Sequence, residues 1–90
     1  MVSRKVKVMN PSGLHVPASG KLCDAAMNYS CSVRFRYGDE GVQEANAKSV
    51  LSILGACVKA GDEITLICEG TDEEEACEHI ADLFEKGFFE

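Results

Sequence analysis

One histidine stands where the surrounding sequence could support chemistry. His15 follows the turn-forming run 10–13, Asn-Pro-Ser-Gly, and precedes a stretch whose apolar residues recur at helical spacing. A helix N-terminus presents free backbone N–H groups and the positive end of the helix dipole, and both favour a bound anion. A neutral imidazole is also a nucleophile near pH 7. His15 is therefore a candidate acceptor for a phosphoryl group.

The residues after His15 determine which groups can hold a phosphate there. Val16 and Ala18 each offer a backbone N–H, and we expect both to bind phosphoryl oxygens. Pro17 has no N–H and no basic side chain. Because the residue before a proline is pushed away from helical dihedral angles, we expect the helix to begin at Pro17, with His15 or Val16 outside it.

Outside this segment we find no catalytic or metal-binding pattern. His79 follows Glu75 by about one helical turn in an acid-rich stretch, which favours a surface or structural role. The cysteines contain no C-x-x-C pair and are interpreted as reduced core thiols: Cys23, Cys31, Cys57, Cys68 and Cys77. No spacing resembles a zinc site, and no glycine-rich phosphate loop is present. We therefore expect neither a metal nor a cofactor.

Length and composition predict a single domain over residues 1–90. A chain of 90 residues, 46% of them hydrophobic, can bury one modest core without disulfides or a metal. The formal net charge of −6 argues against nucleic acid as a partner, since that affinity depends on clustered Lys and Arg. No stretch approaches the length of a membrane span, so we expect a cytoplasmic protein that does not insert into a membrane.

Alternating apolar residues and turn signals predict four strands. Strands are expected over 2–8, 31–37 and 42–45, with the turn 38–41 joining the last two as a hairpin. A further apolar strand is expected over 64–68. Together with the helices, the order becomes strand, helix, strand, strand, helix, strand, helix.

Three helices complete the predicted set, at 16–28, at 48–54 and from Thr71 onward. Thr71 followed three residues later by Glu74 is typical of a capping box. Each helix carries an apolar stripe, and in the last helix it consists of Ala76, Cys77, Ile80, Leu83 and Phe84. A four-stranded antiparallel sheet with three helices on one face would bury all three stripes. We therefore predict a two-layer, open-faced α+β sandwich.

Phe88 and Phe89 form an apolar pair after the last helix. The pair is either a tail that folds onto its own domain or an exposed anchor for a partner. The larger apolar set is most simply interpreted as core plus tail: Met9, Met27, Phe35, Phe84, Phe88 and Phe89.

Three blocks of the sequence, taken in order, resemble HPr, the histidine-containing phosphocarrier family of the bacterial sugar phosphotransferase system. The first is 13–15, Gly-Leu-His, before an alanine-bearing helix, and the second is 46–51, Asn-Ala-Lys-Ser-Val-Leu. The third joins 61–64, Gly-Asp-Glu-Ile, to the Glu-Gly pair at 69–70 and the acid-rich last helix. The resemblance covers essentially the whole chain and implies the HPr-like open-faced sandwich.

The resemblance implies a phosphoryl carrier rather than a stand-alone catalyst. His15 would accept a phosphoryl group from phosphorylated Enzyme I and pass it to sugar-specific Enzyme II components. In many relatives a serine matching Ser49 is phosphorylated by an HPr kinase, so this kinase and regulatory proteins are further implied partners. Ser49 is also a candidate helix N-cap, a role compatible with regulation, and Asn46 is the alternative cap.

The short helix after Ser49 supplies the expected partner surface. Val50, Leu51 and Leu54 would form an apolar docking surface that a phosphate on Ser49 would perturb. Lys21 and Lys48 are the basic residues expected to take part in this surface. Relatives commonly carry more lysines on the first helix, which meet acidic surfaces of Enzyme I, so steering toward such a partner should be weaker here.

The chain departs from the family beside His15. The family usually has an arginine two residues after the histidine and then a proline, whereas here Pro17 takes the position of the arginine. The leading hypothesis remains a carrier. A second is a regulatory module that keeps Ser49 but transfers phosphate weakly or not at all through His15. A third is a carrier in which Lys21 reaches the phosphoryl group.

Overall fold

Four antiparallel strands form one sheet in the computed structural model, which describes residues 1–90. The strands are β1 (Val2–Lys7), β2 (Ser32–Tyr37), β3 (Gln43–Asn46) and β4 (Glu63–Glu69). Their order across the sheet is β1-β4-β2-β3. The last strand in sequence therefore lies between β1 and β2, and only β2 and β3 are joined as the predicted hairpin.

Three helices pack on one face of this sheet: α1 (Val16–Met27), α2 (Val50–Gly55) and α3 (Glu73–Glu85). Single 3₁₀ turns lie at Asp39–Gly41 and Gly87–Phe89. None of the helices is long and apolar enough to cross a membrane. The predicted two-layer, open-faced α+β sandwich is confirmed.

The core lies between the two layers, where the sheet's inner residues meet the helix stripes. Val33, Phe35 and Leu66 from the sheet are buried against Leu22 of α1 and Ile80 of α3. Alternation along the strands places these residues on one face, while the 3.6-residue helical period aligns the helix stripes. One continuous hydrophobic core results.

The interpretation of the apolar set as core plus tail is only partly right. Phe35, Phe84 and Phe88 are buried, and the rings of Phe84 and Phe88 meet edge to face at 4.9 Å. In contrast, the other members lie exposed on the surface: Met9, Met27 and Phe89. The expectation that the tail folds onto its own domain therefore holds for Phe88, which packs into the core. The adjacent Phe89 is instead exposed to solvent.

The first helix begins at Val16, as the apolar spacing over 16–28 predicts, and one residue before the start at Pro17 that we expected from the proline. The N–H of Ser19 donates to the carbonyl oxygen of His15 at 2.8 Å and closes the first turn there. Pro17 is tolerated as the second helical residue, since N–H groups of the first turn have no partner within the helix. As expected, His15 lies outside the helix and is its N-cap.

The predicted capping box at the start of α3 is wrong. Asp72, not Thr71, is the N-cap residue, and its side chain makes no bond to the helix end. Its carboxylate instead accepts the N–H groups of Ser30 and Cys31, both at 2.9 Å. These bonds, first among them that from Ser30, lower the pKa of Asp72 to about 2. Asp72 therefore ties the start of α3 to the segment entering β2.

All five cysteines are free thiols. Cys31, Cys68 and Cys77 are buried in the core, and burial, reinforced by the two neighbouring thiols, raises the pKa of Cys68 to about 12. Cys23 is half-buried. The interpretation as core thiols is wrong for Cys57, which is exposed with a left-handed backbone after α2.

Candidate functional site at His15

The loop that carries His15 is anchored by the segment before β4. The N–H of Leu14 donates to the carbonyl oxygen of Val58 at 3.0 Å, and the Leu14 side chain is buried. Gly13 has φ +66°, and a Cβ at this position would lie 2.7 Å from the same carbonyl oxygen. Only glycine fits such a close approach with a left-handed backbone. The two residues before His15 are thus tightly held.

His15 is placed by the first turn of α1. Its backbone is extended, with φ −85° and ψ −172°, and its side chain makes no capping bond to the helix. Ser19, which is fully buried, supports the turn by donating its hydroxyl to the Leu14 carbonyl at 3.2 Å. The imidazole is 29% exposed, so it is partly sheltered while remaining reachable from solvent.

The two predicted phosphate-binding N–H groups lie in the first turn directly after His15. Neither Val16 nor Ala18 donates its N–H to another group of the chain. Pro17 between them contributes no donor. The start of α1 therefore offers two free N–H groups and the positive end of the helix dipole, but no cationic side chain from position 17.

A residue that the sequence analysis missed contacts the imidazole. Nε2 of His15 lies 2.6 Å from Oε2 of Glu90. The other carboxylate oxygen of Glu90 accepts a hydrogen bond from Nδ2 of Asn10 at 3.3 Å. No local pattern could have revealed this contact, because it depends on how the segment after α3 folds back.

Lys21 lies on α1 but is engaged by that same segment. Its Nζ donates to the carbonyl oxygen of Phe88 at 2.7 Å. The hypothesis that Lys21 reaches a phosphoryl group on His15 would require this bond to break. The structure thus gives Lys21 a role in holding the tail.

Ser49 is the N-cap of α2. Its Oγ accepts the N–H of Ser52 at 3.2 Å. Asn46, the alternative cap, instead accepts the N–H of Lys48 at 2.9 Å through its side-chain oxygen. Of the two candidates, Ser49 therefore caps the helix, and its side chain lies at the protein surface in a half-buried position.

The residues of the expected docking surface face outward from α2. Leu51 is 82% exposed, while Val50 and Leu54 are half-buried. Ile53, which lies on the side of the helix opposite Leu51, is fully buried in the core. Lys48 lies next to this surface and donates its Nζ to the Tyr29 carbonyl oxygen at 2.7 Å.

His79 lies apart from this site, paired with Tyr29. The Tyr29 hydroxyl is 2.7 Å from Nδ1 of His79, and the two rings meet edge to face. Partial burial, followed by the charges of Glu75 and Asp72, raises the pKa of Tyr29. No group of three or more His, Cys, Asp or Glu side chains is arranged to hold a metal ion.

The architecture and the site together define a class of protein: a small open-faced sandwich with a partly exposed histidine at the start of its first helix. A family model described as the PTS HPr component phosphorylation site matches residues 2–86. The phosphocarrier protein NPr of Proteus mirabilis is 38% identical over 87 residues, covering 97% of this chain and 94% of that protein. The chain belongs to the PTS HPr family.

Other relatives agree with this assignment. The HPr-like protein Crh of Bacillus subtilis is 32% identical over 81 residues, covering 90% of this chain and 92% of that protein. The crystal structure of an HPr from Thermoanaerobacter tengcongensis superposes with a TM-score of 0.91 at 30% identity, covering 100% of this chain and 98% of that one. The dihydroxyacetone kinase subunit DhaM of Providencia stuartii is 35% identical over 81 residues, which span 90% of this chain but 16% of that protein.

Proposed function

We propose that this chain is a cytoplasmic phosphocarrier in which His15 accepts a phosphoryl group from phosphorylated Enzyme I and passes it to a sugar-specific Enzyme II component. One observation carries the proposal: the partly exposed His15 imidazole lies at the start of α1, directly before the free N–H groups of Val16 and Ala18. The chain acts as a carrier and not as a stand-alone catalyst.

The transfer is a displacement at phosphorus. The lone pair of an imidazole nitrogen of His15 forms the new N–P bond, while the bond between phosphorus and the donor group of Enzyme I breaks and its electron pair stays with that donor group. The N–H groups of Val16 and Ala18, together with the helix dipole, stabilise the negative oxygens of the transferred group. No side chain at position 17 adds to this, although one charge-assisted hydrogen bond would supply about 1.5–3 kcal/mol.

The outward face of α2 is the proposed docking surface for these partners. Val50, Leu51 and Leu54 present apolar area to solvent, and exposed apolar patches of this kind are typical of interaction sites. Lys48 lies next to Ser49, while Lys21 adds positive charge on α1. Both ammonium groups already donate to backbone carbonyls, so their share in steering an acidic partner is modest.

Incubation with Enzyme I and phosphoenolpyruvate tests the carrier function. The parent protein should acquire acid-labile phosphate, and His15→Ala should acquire none. Transfer onward to an Enzyme II component should follow. The absence of acid-labile phosphate on the parent would rule out the carrier function.

A second function is favoured by Pro17 and Ser49 together. Pro17 lacks both the N–H and the charge expected to hold a phosphate on His15, whereas Ser49 lies beside an exposed apolar surface. The chain would then be a regulatory binding module controlled by an HPr kinase. The similarity to Crh of Bacillus subtilis, which is described as the catabolite repression HPr of that organism, supports this alternative.

Incubation with an HPr kinase and ATP tests the regulatory function. Acid-stable phosphate should appear on the parent and be absent from Ser49→Ala, and the modification should change binding to a regulatory partner. His15→Ala is the matched control, since it should be phosphorylated on Ser49 like the parent. An unmodified Ser49, or modification without any change in binding, would remove this alternative.

A further inference from the structure

The outer edge of β1 presents backbone groups that no other element of the chain uses. β1 lies at one end of the sheet and pairs only with β4. Just beyond β1, the N–H of Val8 donates to the carbonyl oxygen of Asp62 on the β4 side, at 2.8 Å. Because successive residues of an antiparallel strand direct their backbone groups to alternate sides, the even-numbered residues of β1 bond to β4. The N–H and C=O groups of Ser3, Lys5 and Lys7 therefore point outward.

The opposite edge of the sheet is shorter and partly occupied. β3 has four residues, and the N–H of Asn46 at its end already donates to the Ser52 hydroxyl at 2.9 Å. β1 has six residues, and the three with outward backbone groups are exposed. An exposed edge of this kind is a template for pairing with another strand. The edge of β1 thus fits one extended segment, lying about 4.8 Å away as a fifth strand of the sheet.

The side chains on the open face select the charge of that segment. Lys5 and Lys7 lie on this face, since Val6 between them is buried on the helix side. Both lysines are exposed, and neither ammonium group makes an ion pair or a hydrogen bond. Like charges that lie opposite each other in a sheet are destabilising, which disfavours pairing of β1 with the β1 strand of a second copy. Carboxylates at alternate positions of an added strand would instead lie beside the two ammonium groups.

The helix side of the same edge carries the opposite charge. Arg4 points toward α3, where its guanidinium bonds to Glu85 at 2.9 Å. Glu78 precedes Glu85 by seven residues, so it lies on the same side of α3, and its exposed carboxylate makes no ion pair. A basic side chain between two acidic ones of the added strand would face Glu78. An open cavity of about 580 Å³ gives it room, lined by Arg4 and five residues of α3: Glu75, Glu78, His79, Asp82 and Glu85.

We propose that the outer edge of β1 is a docking site for an extended segment of a partner protein in which acidic and basic residues alternate. The segment lies antiparallel to β1, as every other pair of strands in this sheet does. Its main chain bonds to Ser3, Lys5 and Lys7, and its acidic side chains lie over the two lysines. The main-chain bonds supply affinity, and the alternating charges supply specificity. This interaction goes beyond phosphoryl transfer, since it uses none of the groups around His15.

A synthetic peptide tests this docking site on the full chain. The probe is acetyl-Thr-Glu-Val-Glu-Lys-Glu-Val-Thr-amide, whose glutamates share one face of an extended strand while the lysine lies on the other. At low salt, saturating peptide should slow the amide hydrogen exchange of Ser3, Lys5 and Lys7 by about tenfold or more. The N–H groups of the residues between them already bond to β4 and should keep their exchange rates. Binding to side chains alone would not give this alternation along one strand.

Variants of Lys5 separate main-chain pairing from charge attraction. Lys5→Pro removes an outward N–H and no bond to β4, so the sheet should persist while peptide affinity falls about tenfold or more. Lys5→Glu places like charges opposite each other and should weaken binding about tenfold. Lys59→Glu is the matched control, because Lys59 is exposed, has a free ammonium group and lies in the turn before β4. It should bind the peptide like the parent.

A peptide that is N-methylated at its glutamates completes the test, because it keeps the charges but loses the N–H groups that face β1. It should not bind. If Lys5→Pro does not fold, this peptide and Lys5→Glu still decide the question. Equal binding of the methylated peptide, or no binding of the original peptide at about 1 mM, would overturn the proposal. Exchange that slows at the three outward amides as the protein alone is concentrated would also overturn it, since a second copy would then occupy the edge.

Discussion

The ammonium group of Lys21 lies 2.7 Å from the carbonyl oxygen of Phe88, so the first helix and the segment after the last helix are joined beside His15. This bond gives the Phe88 carbonyl a hydrogen-bond donor within the left-handed tail. It also holds the turn after which Glu90 contacts His15. The same helix therefore presents His15 and secures the residue that contacts its ring.

Replacement of Lys21 by Met should loosen the tail without unfolding the protein. Loss of a partly buried bond from a charged donor should lower the free energy of unfolding by about 1 kcal/mol. Amide ¹⁵N relaxation should show greater mobility at residues 88–90. Lys7→Met is the control, because Lys7 is exposed on β1 and makes no side-chain bond. Unchanged relaxation of the tail in Lys21→Met would contradict this role.

Introduction of arginine at position 17 should improve the phosphate site. Pro17→Arg restores both a backbone N–H and a cationic side chain, and one good charge-assisted hydrogen bond corresponds to a rate gain of about tenfold. Pro17→Ala restores the N–H alone and should give a smaller gain. The measurement is the initial rate of His15 phosphorylation by Enzyme I. If Pro17→Arg is no faster than the parent, the missing arginine does not limit the site.

Replacement of Gly13 by Ala should be strongly destabilising. The new Cβ would lie 2.7 Å from the Val58 carbonyl oxygen in a backbone with φ +66°, so the expected loss is on the order of 2 kcal/mol or more. Gly20→Ala is the matched control. A Cβ there meets nothing within 4 Å, and the helical position should gain about 0.5–1 kcal/mol. Urea denaturation of the two variants should show effects of opposite sign.

The lowered pKa of Asp72 predicts that the folded protein loses part of its stability in acid. The bond from the Ser30 N–H is the largest cause of the shift from the ordinary value of 3.8 to about 2. The stability that the Asp72 carboxylate contributes is present at pH values above its ordinary pKa. It is lost as pH falls toward 2, where the carboxylate of the folded protein is protonated. Asp72→Asn should be less stable than the parent at pH 6, and the gap should narrow toward pH 2. A gap that stays constant across this range would contradict the assignment.

The element order and the sheet-and-helix architecture could be predicted because their signals are local. Alternation marks the strands, and the spacing of apolar residues marks the helices. The ends of the helices were harder to predict. Thr71 and Glu74 match the capping-box pattern, yet Asp72 is the N-cap residue of α3, and its carboxylate bonds to Ser30 and Cys31 near the start of another element instead of capping the helix.

The candidate acceptor histidine, His15, could also be proposed from sequence, since turn, histidine and helix start are adjacent along the chain. The charged residue that contacts His15 could not be identified from sequence. Glu90 reaches His15 only because Phe88 enters the core and turns the chain through a left-handed segment. In the same way, only the packing of α2 against α1 determines that Ile53 faces the core while Leu51 of the same helix faces solvent.

The sequence by itself determined the elements, their order and the histidine that starts the first helix, since each depends on residues close together in the chain. Tertiary structure alone decided which distant groups meet: Glu90 with His15, Lys21 with Phe88, and Asp72 with Ser30. Those contacts arise from the packing of whole elements around a common core, and the local spacing of residues carries no information about them.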